Sequence, residues 1–285
     1  MKEFTYQIVK KEIQFDGFDD YMDLWFFGDI HRDASSCDVE RWKWFLKKAR
    51  QGDPDKTWYM GMGDYHDFAS ASEQRKIKNS ALHETTMETI EDMVHKRNRA
   101  LSIEMNQMRG KLLGLVEGNH TWVFDNGTTS TEDLADRMDT QYLGWLCHYT
   151  INFRFGGNRT QSINIVVCHG KAGGKTMGIT INQVDDLTRI FPVADIYCMG
   201  HDHQRGAWPK NILIPVTQSG DIKQKRQFLC RSGSFKIGYE KGKGGYEIRS
   251  LYRPSDLGAL KLRISFHRDR SEGTDRIITD MEATI

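Results

Sequence analysis

Cysteine is scarce and scattered: Cys37, Cys147, Cys168, Cys198 and Cys230 are five in 285 residues, an odd number, and none falls in a C-x-x-C pair. That excludes a disulfide frame or a thiolate zinc site and leaves buried free thiols as the expectation. There is no Pro/Ser-rich linker, low-complexity tract or internal repeat, so residues 1–285 are expected to form a single domain. Long apolar runs are missing as well. No stretch approaches the ~20 apolar residues of a membrane span. Met1-Lys2-Glu3 leads into polar residues instead of a signal peptide's apolar segment. A cytoplasmic protein with no membrane partner is therefore expected. An excess of either charge is also lacking: 40 Lys+Arg stand against 39 Asp+Glu. This rules out a wholesale basic surface for nucleic acid, though not a local basic face.

What is present is the composition of an ordinary globular chain, 38% hydrophobic and 28% charged, long enough to bury a sizeable core. Charge is uneven along it. Residues 1–33 carry four basic against eight acidic groups, and residues 221–249 carry eight basic against three acidic. Short apolar runs alternate with helical patterns. Leu24–Gly28, Thr57–Met62, Leu112–Val116, Ile163–Cys168 and Ala194–Met199 read as strands. A helix is expected from about Asp38 with Val39, Trp42, Leu46 and Ala49 on one face, and another over Ile181–Ile190. Ser130–Asp133 (STED) reads as a capping box opening a helix that runs to Met138. The helical region from Ser72 to Met108 is longer than a crossover needs, which suits a cap over a crevice or an oligomer contact. Residues 206–285 show Gly-rich turns and no convincing helix, the pattern of an antiparallel sheet completing a second layer. Two packed sheets with helices outside satisfy both parts of the chain.

Each expected core strand ends in a polar cluster: Gly28-Asp29-Ile30-His31, Gly63-Asp64-Tyr65-His66-Asp67, Gly118-Asn119-His120, His169-Gly170 and Gly200-His201-Asp202-His203. In open α/β sheets the carboxyl ends of strands converge on one crevice, so clusters far apart in sequence meet in space. Asp29, His31, Asp64, Asn119, His169, His201 and His203 supply oxygen and nitrogen donors without thiolate, which suits one or two divalent cations such as Mn²⁺, Fe, Zn²⁺ or Mg²⁺. Two cations need a bridging ligand, and the Asp64 carboxylate is the natural choice. Residues two apart on an extended chain point the same way, so Asp29 with His31, and His201 with His203, are each expected to face one site.

The order D-x-H, GD-x-x-D, GNH, H and GH-x-H resembles the calcineurin-like metallophosphoesterases, over Asp29–His203, about 60% of the chain. The resemblance implies an α/β fold, a four-layer α/β/β/α sandwich of two mixed sheets flanked by helices, with a dinuclear metal site in the strand-end loops. It also implies that Asp29, His31, Asp64 and His203 hold one metal, Mn²⁺ for preference, and that Asp64, Asn119, His169 and His201 hold the other. By the same resemblance His120 protonates the leaving oxygen, Asp67 orients it, and a hydroxide bridging the metals attacks phosphorus. Two departures stand out. Thr121 follows GNH where the family has Asp or Glu, and Phe68 and Glu117 occupy places where the serine/threonine phosphatases carry arginines. The first means that Asn119 and His120 must draw their local support from elsewhere, and the second counts against protein phosphatase activity.

A phosphodiesterase or nuclease acting on DNA, RNA or nucleotides is the expected function, with a phosphomonoesterase and a non-catalytic interaction module on the same fold as alternatives. Lys171 and Lys175 in Gly170–Lys175 offer a phosphate-binding loop or a solvated turn. Arg205 offers a phosphate partner, and Trp208 a base-stacking platform or a core aromatic. His66, inside a motif, is expected to approach the metals or substrate or to support a ligand from behind. The basic stretch Lys223–Arg249, interleaved with Phe228, Phe235, Tyr239 and Tyr246, reads as a nucleic-acid track or as strands with one solvated face.

Overall fold

The computed structural model describes residues 5–15, 17–80, 83–156, 159–170, 176–216, 220–240, 246–249, 251–270 and 276–285. Among the described residues, eleven strands form two mixed sheets. The first, in the order β1-β5-β6-β7-β9-β8, uses Tyr6–Gln14 (β1), Leu146–Phe155 (β5), Arg159–Cys168 (β6), Ile196–Met199 (β7), Arg205–Val216 (β8) and Asp221–Ser232 (β9). The second, in the order β11-β10-β2-β3-β4, uses Asp20–Phe27 (β2), Thr57–Gly61 (β3), Leu112–Leu115 (β4), Leu260–Asp269 (β10) and Arg276–Thr284 (β11). The two C-terminal hairpins are thus divided: β8/β9 extends the first sheet and β10/β11 the second.

Alternation decides which faces meet. Along β5, Cys147, Tyr149, Ile151, Phe153 and Phe155 are buried, while the intervening residues are half-buried or exposed. They pack against Met22, Leu24 and Phe26 of β2 and Leu260, Leu262, Ile264 and Phe266 of β10, forming the core between the sheets. Phe153 lies tilted against Phe266 with ring centroids 4.6 Å apart. Burial of each such ring contributes roughly 1.5–3 kcal/mol.

Helices cover both outer faces. On the second sheet lie Val39–Gln51 (α1), Glu84–Glu104 (α3) and Ser130–Met138 (α4), through Trp42, Phe45, Leu101, Met105, Leu134 and Met138. On the first lie Met177–Asp185 (α5) and Leu187–Ile190 (α6), through Val184 and Leu187. The result is the expected four-layer sandwich. The fully buried stripe of α1 is Trp42, Phe45 and Ala49, with Val39 and Leu46 packed at its margin. The long helical region divides: Ala71–Asn79 (α2) and the start of α3 pack beside Phe68, Trp122 and Phe124, while the end of α3 joins the outer layer. A last single turn, Tyr246–Arg249 (α7), completes the helices among the described residues. None of these helices is long and apolar enough to cross a membrane.

One local expectation shifts by a residue. The capping box of α4 is Thr129 with Glu132, not Ser130 with Asp133: Thr129 Oγ1 accepts from Glu132 N, and Glu132 Oε2 accepts from Thr129 N. Ser130 is buried and already helical, and its hydroxyl accepts from Trp122 N at 3.0 Å.

Candidate metal centre

Five polar turns sit at the carboxyl ends of β2, β3, β4, β6 and β7. Strands β2, β3 and β4 run parallel to one another, as do β6 and β7, so each sheet delivers its turns to one edge. There Asp29, His31 and His203 form one group and Asp64, His169 and His201 a second, with the potential ligand atoms of each group within 4.8 Å of one another. Asn119 joins the second group, its Oδ1 2.9 Å from His169 Nε2.

The backbone reaches this arrangement by a route different from the extended one expected. Asp29, His31, Asp64, His201 and His203 all have positive φ, between 45° and 73°. They are five of the seven non-glycine residues with left-handed backbone among the described residues, so the strain is concentrated at the site. Each such residue costs on the order of 1 kcal/mol or more, least for Asp and Asn, and persists only where surrounding bonds enforce it. Those bonds are present: Asp29 N donates to Gly63 O, and Ile30 N and His31 N both donate to Asp64 O. Gly118 permits the tightest approach, because a Cβ there would overlap Asp64 Oδ1 and the Asp64 amide.

Hydrogen bonding then sorts the ligand atoms. Each carboxylate has one oxygen held by a backbone amide, Asp29 Oδ2 by His201 N at 2.9 Å and Asp64 Oδ1 by His120 N at 2.9 Å. The other oxygen faces the cluster. Asp64 Oδ2 lies 3.8 Å from His31 Nε2 and 3.2 Å from His169 Nε2, at the junction of the two groups. Asp29 Oδ1 lies 3.5 Å from His203 Nε2. His169 Nδ1 donates to Met62 O at 2.8 Å and His31 Nδ1 to Asp67 Oδ1 at 2.7 Å. In a neutral imidazole this leaves each Nε2 as a lone pair.

His169 Nε2 therefore meets Asn119 Oδ1, Asp64 Oδ2 and, at 3.2 Å, His201 Nδ1, so that lone pairs converge on one spot. Asp29 Oδ1 and His31 Nε2 are buried without any hydrogen-bond partner. A buried acceptor without a donor is costly, and a positive charge between such acceptors removes the cost. Protonation offers one: burial opposes the charge on His169, but Asp64 and Asp29 outweigh it and push its pKa to about 9. Burial likewise raises the Asp64 carboxyl, yet His169, with His31 and His120, holds it well below the usual range. A divalent cation would satisfy all these atoms together, so the donor set fits metal ions in both groups.

His120 stands beside the first group, its ring 5.2 Å from that of His31. Asp67 does not orient it as expected. His120 Nδ1 bonds Phe68 O at 2.9 Å and stays 3.5 Å from Asp67 Oδ1, because that oxygen is engaged by His31. Burial works against the Asp67 charge, but the His31 hydrogen bond prevails and brings its pKa down to about 2. Asp67 is itself anchored, its amide donating to Asp33 Oδ1.

The remaining candidates are dispersed. His66 is buried against the Phe68 ring, its Nδ1 3.6 Å from Asp33 Oδ1. Burial lowers its pKa to about 4. Arg205 is paired with Asp256 at 3.1 Å, and Trp208 packs against the layer under α5 and α6. Lys171 and Lys175 lie outside the described residues. Of the basic stretch, Phe228 and Phe235 are core and Arg231 is fully buried, so these offer nothing to a nucleic-acid strand.

Arg231 has a different task that its place in a basic stretch hides. Its guanidinium donates to Gly200 O at 2.7 Å, to Thr180 O and to Gln183 Oε1, and its Nε lies 3.4 Å from Asp202 Oδ2. It thereby fixes the turn that carries His201 and His203. Trp145, which no motif marks, is half-buried with its ring edge-on to His169, centroids 6.1 Å apart.

No sequence-family profile matches the chain, and no curated protein matches it in sequence. Solved structures with a similar course include vacuolar protein sorting 29 from Cryptosporidium parvum (11% identity, 93% of this chain and 99% of that one, TM-score 0.37). GAP50, the anchor in the inner membrane complex of Plasmodium, gives 14% identity over 91% of this chain and 88% of that one, TM-score 0.42. The calcineurin-like phosphoesterase YfkN from Bacillus subtilis gives 10% identity over 92% and 90%, TM-score 0.34. At such scores these are loose likenesses only. The resemblance to the calcineurin-like metallophosphoesterases rests on the four-layer sandwich and the order in which its strand ends deliver two His/Asp ligand groups to one edge.

Proposed function

We propose that this chain is a dinuclear metal-dependent phosphoester hydrolase and that it acts on phosphodiesters of the nucleotide or nucleic-acid kind. The observation that carries the reading is the position of Asp64 Oδ2 between His31 Nε2 and His169 Nε2, one carboxylate oxygen shared by two groups of candidate ligands. Asp29, His31 and His203 would hold one cation and Asn119, His169 and His201 the other, with Asp64 common to both. Oxygen and nitrogen donors without thiolate suit Mn²⁺, Fe, Zn²⁺ or Mg²⁺, and Mn²⁺ is the metal we propose. Bound there, two such cations would neutralise charge on phosphoryl oxygens and acidify an attacking water.

The chain's own groups supply the rest. His120, with Nδ1 bonded to the Phe68 carbonyl, keeps Nε2 for a proton that passes to the departing oxygen. Asp67 orients His31 and so fixes which nitrogen faces the cluster. Trp145 stands beside His169, ring centroids 6.1 Å apart. The phosphatase arginines have no counterpart: Phe68 is buried, and Glu117 is buried with its Oε2 accepting from Thr129 and Tyr142.

With Mn²⁺ supplied, turnover of bis-p-nitrophenyl phosphate should exceed that of p-nitrophenyl phosphate by at least about tenfold in kcat/KM, a difference of ~1.4 kcal/mol in transition-state binding. A preference for the monoester would make the protein a phosphomonoesterase.

A further inference from the structure

Strand β9 runs parallel to β7, so its carboxyl end reaches the same edge as the ligand turns. The segment beyond it, Gly233-Ser234-Phe235-Lys236, belongs to none of the motif clusters, yet the site holds it firmly. Phe235 N and Ser234 Oγ both donate to the carbonyl of Asp29, at 3.0 Å each. Lys236 N donates to Ser234 Oγ at 3.0 Å, and Lys236 forms a β-bridge with Cys37. On either side, Asp38 N donates to Phe235 O and Ile237 N to Ser36 O. The backbone of Lys236 is therefore tied to a metal-ligand residue and to the start of α1.

The side chain follows. Its Nζ stands 3.8 Å from Asp67 Oδ1, the oxygen that accepts from His31 and lies 3.5 Å from His120 Nδ1. Lys236 thus shares one carboxylate corner with a ligand histidine and with the candidate acid. Among the described residues, Arg205 pairs with Asp256, Arg231 donates to the Gly200 carbonyl, Arg32 pairs with Glu104 and Arg97 with Asp33. A lysine ammonium is a compact point charge with three rotatable donors, suited to a phosphate oxygen.

We propose that Lys236 binds a non-bridging oxygen of the substrate phosphate on the His120 side of the site. The proposal rests on the phosphoesterase reading of the same site, so binding and turnover are measured separately. Isothermal titration of the Mn²⁺-loaded protein with inorganic phosphate should give an affinity that falls roughly tenfold in Lys236→Met and returns in Lys236→Arg, as for the loss of one charge-assisted hydrogen bond. The KM for bis-p-nitrophenyl phosphate should rise by a similar factor, with Mn²⁺ content and thermal midpoint unchanged. Equal phosphate affinity in wild type and Lys236→Met overturns the proposal, as does a wild type that binds no phosphate. Loss of phosphate affinity in the variant of a protein that hydrolyses no ester would uphold the anion site and refute the activity.

Discussion

Replacing Asp64 should empty the site. In Asp64→Asn the left-handed backbone is kept, since Asn tolerates φ near +49° as Asp does, and an amide oxygen can still accept from His120 N. What changes is the charge at Oδ2, which faces His31 and His169 at once. Metal retained after dialysis should fall from two equivalents to below about one, and turnover should drop on the order of 10²–10³-fold, the scale for removing a preorganised electrostatic group. Asp64→Ala should do the same while adding the backbone cost of Ala in a left-handed turn. The Asn variant therefore separates lost charge from lost fold. Elemental analysis beside a thermal melt reads both, and a variant that keeps the wild-type metal content would remove Asp64 from the bridging position.

The second large effect belongs to His120. Its side chain is not among the grouped ligand atoms, its backbone amide supports Asp64, and its ring is fixed through Nδ1 by the Phe68 carbonyl. His120→Ala leaves the amide in place, so metal content should be unchanged. Turnover should depend on the leaving group. p-Nitrophenolate departs as a stable anion and needs little help, whereas an alkoxide must be protonated as it leaves, so a dinucleotide substrate should lose about 10²–10⁴-fold. The contrast between substrates identifies an acid, because a merely structural histidine would slow both alike. Equal loss on both, or wild-type rates on the dinucleotide, would assign the proton to another group.

The site was legible in the sequence for a physical reason. Each ligand turn follows a short apolar strand and most open on a glycine, so residue type and position carry the information together. The fold was less so at its first edge. β1, Tyr6–Gln14, is mostly exposed, with Ile13 its one buried residue, and gains its place by pairing in parallel with β5, a contact 140 residues away. β5 shows clean alternation, but no polar motif closes it. The division of the C-terminal hairpins between sheets is likewise tertiary: both read as antiparallel pairs, and only packing decides that β10 joins β2 while β9 joins β7.

Function hid best where residue type misleads. Arg231 lies in a run of basic residues and is fully buried, securing the turn between His201 and His203. Lys236, five residues on, reaches the site itself. Asp67 holds the expected place but supports His31, because the nearest partner of the His120 ring is a main-chain carbonyl that no side-chain pattern announces. Convergence of lone pairs on His169 Nε2 is visible only in three dimensions, and it is the strongest argument that charge belongs there.

The most direct measurement is the stoichiometry of metal binding. Wild-type protein stripped with a chelator and titrated with Mn²⁺ in a calorimeter should take up two equivalents, with hydrolysis of bis-p-nitrophenyl phosphate appearing as the sites fill. Uptake of no metal, or full turnover in the continued presence of chelator, would contradict the account.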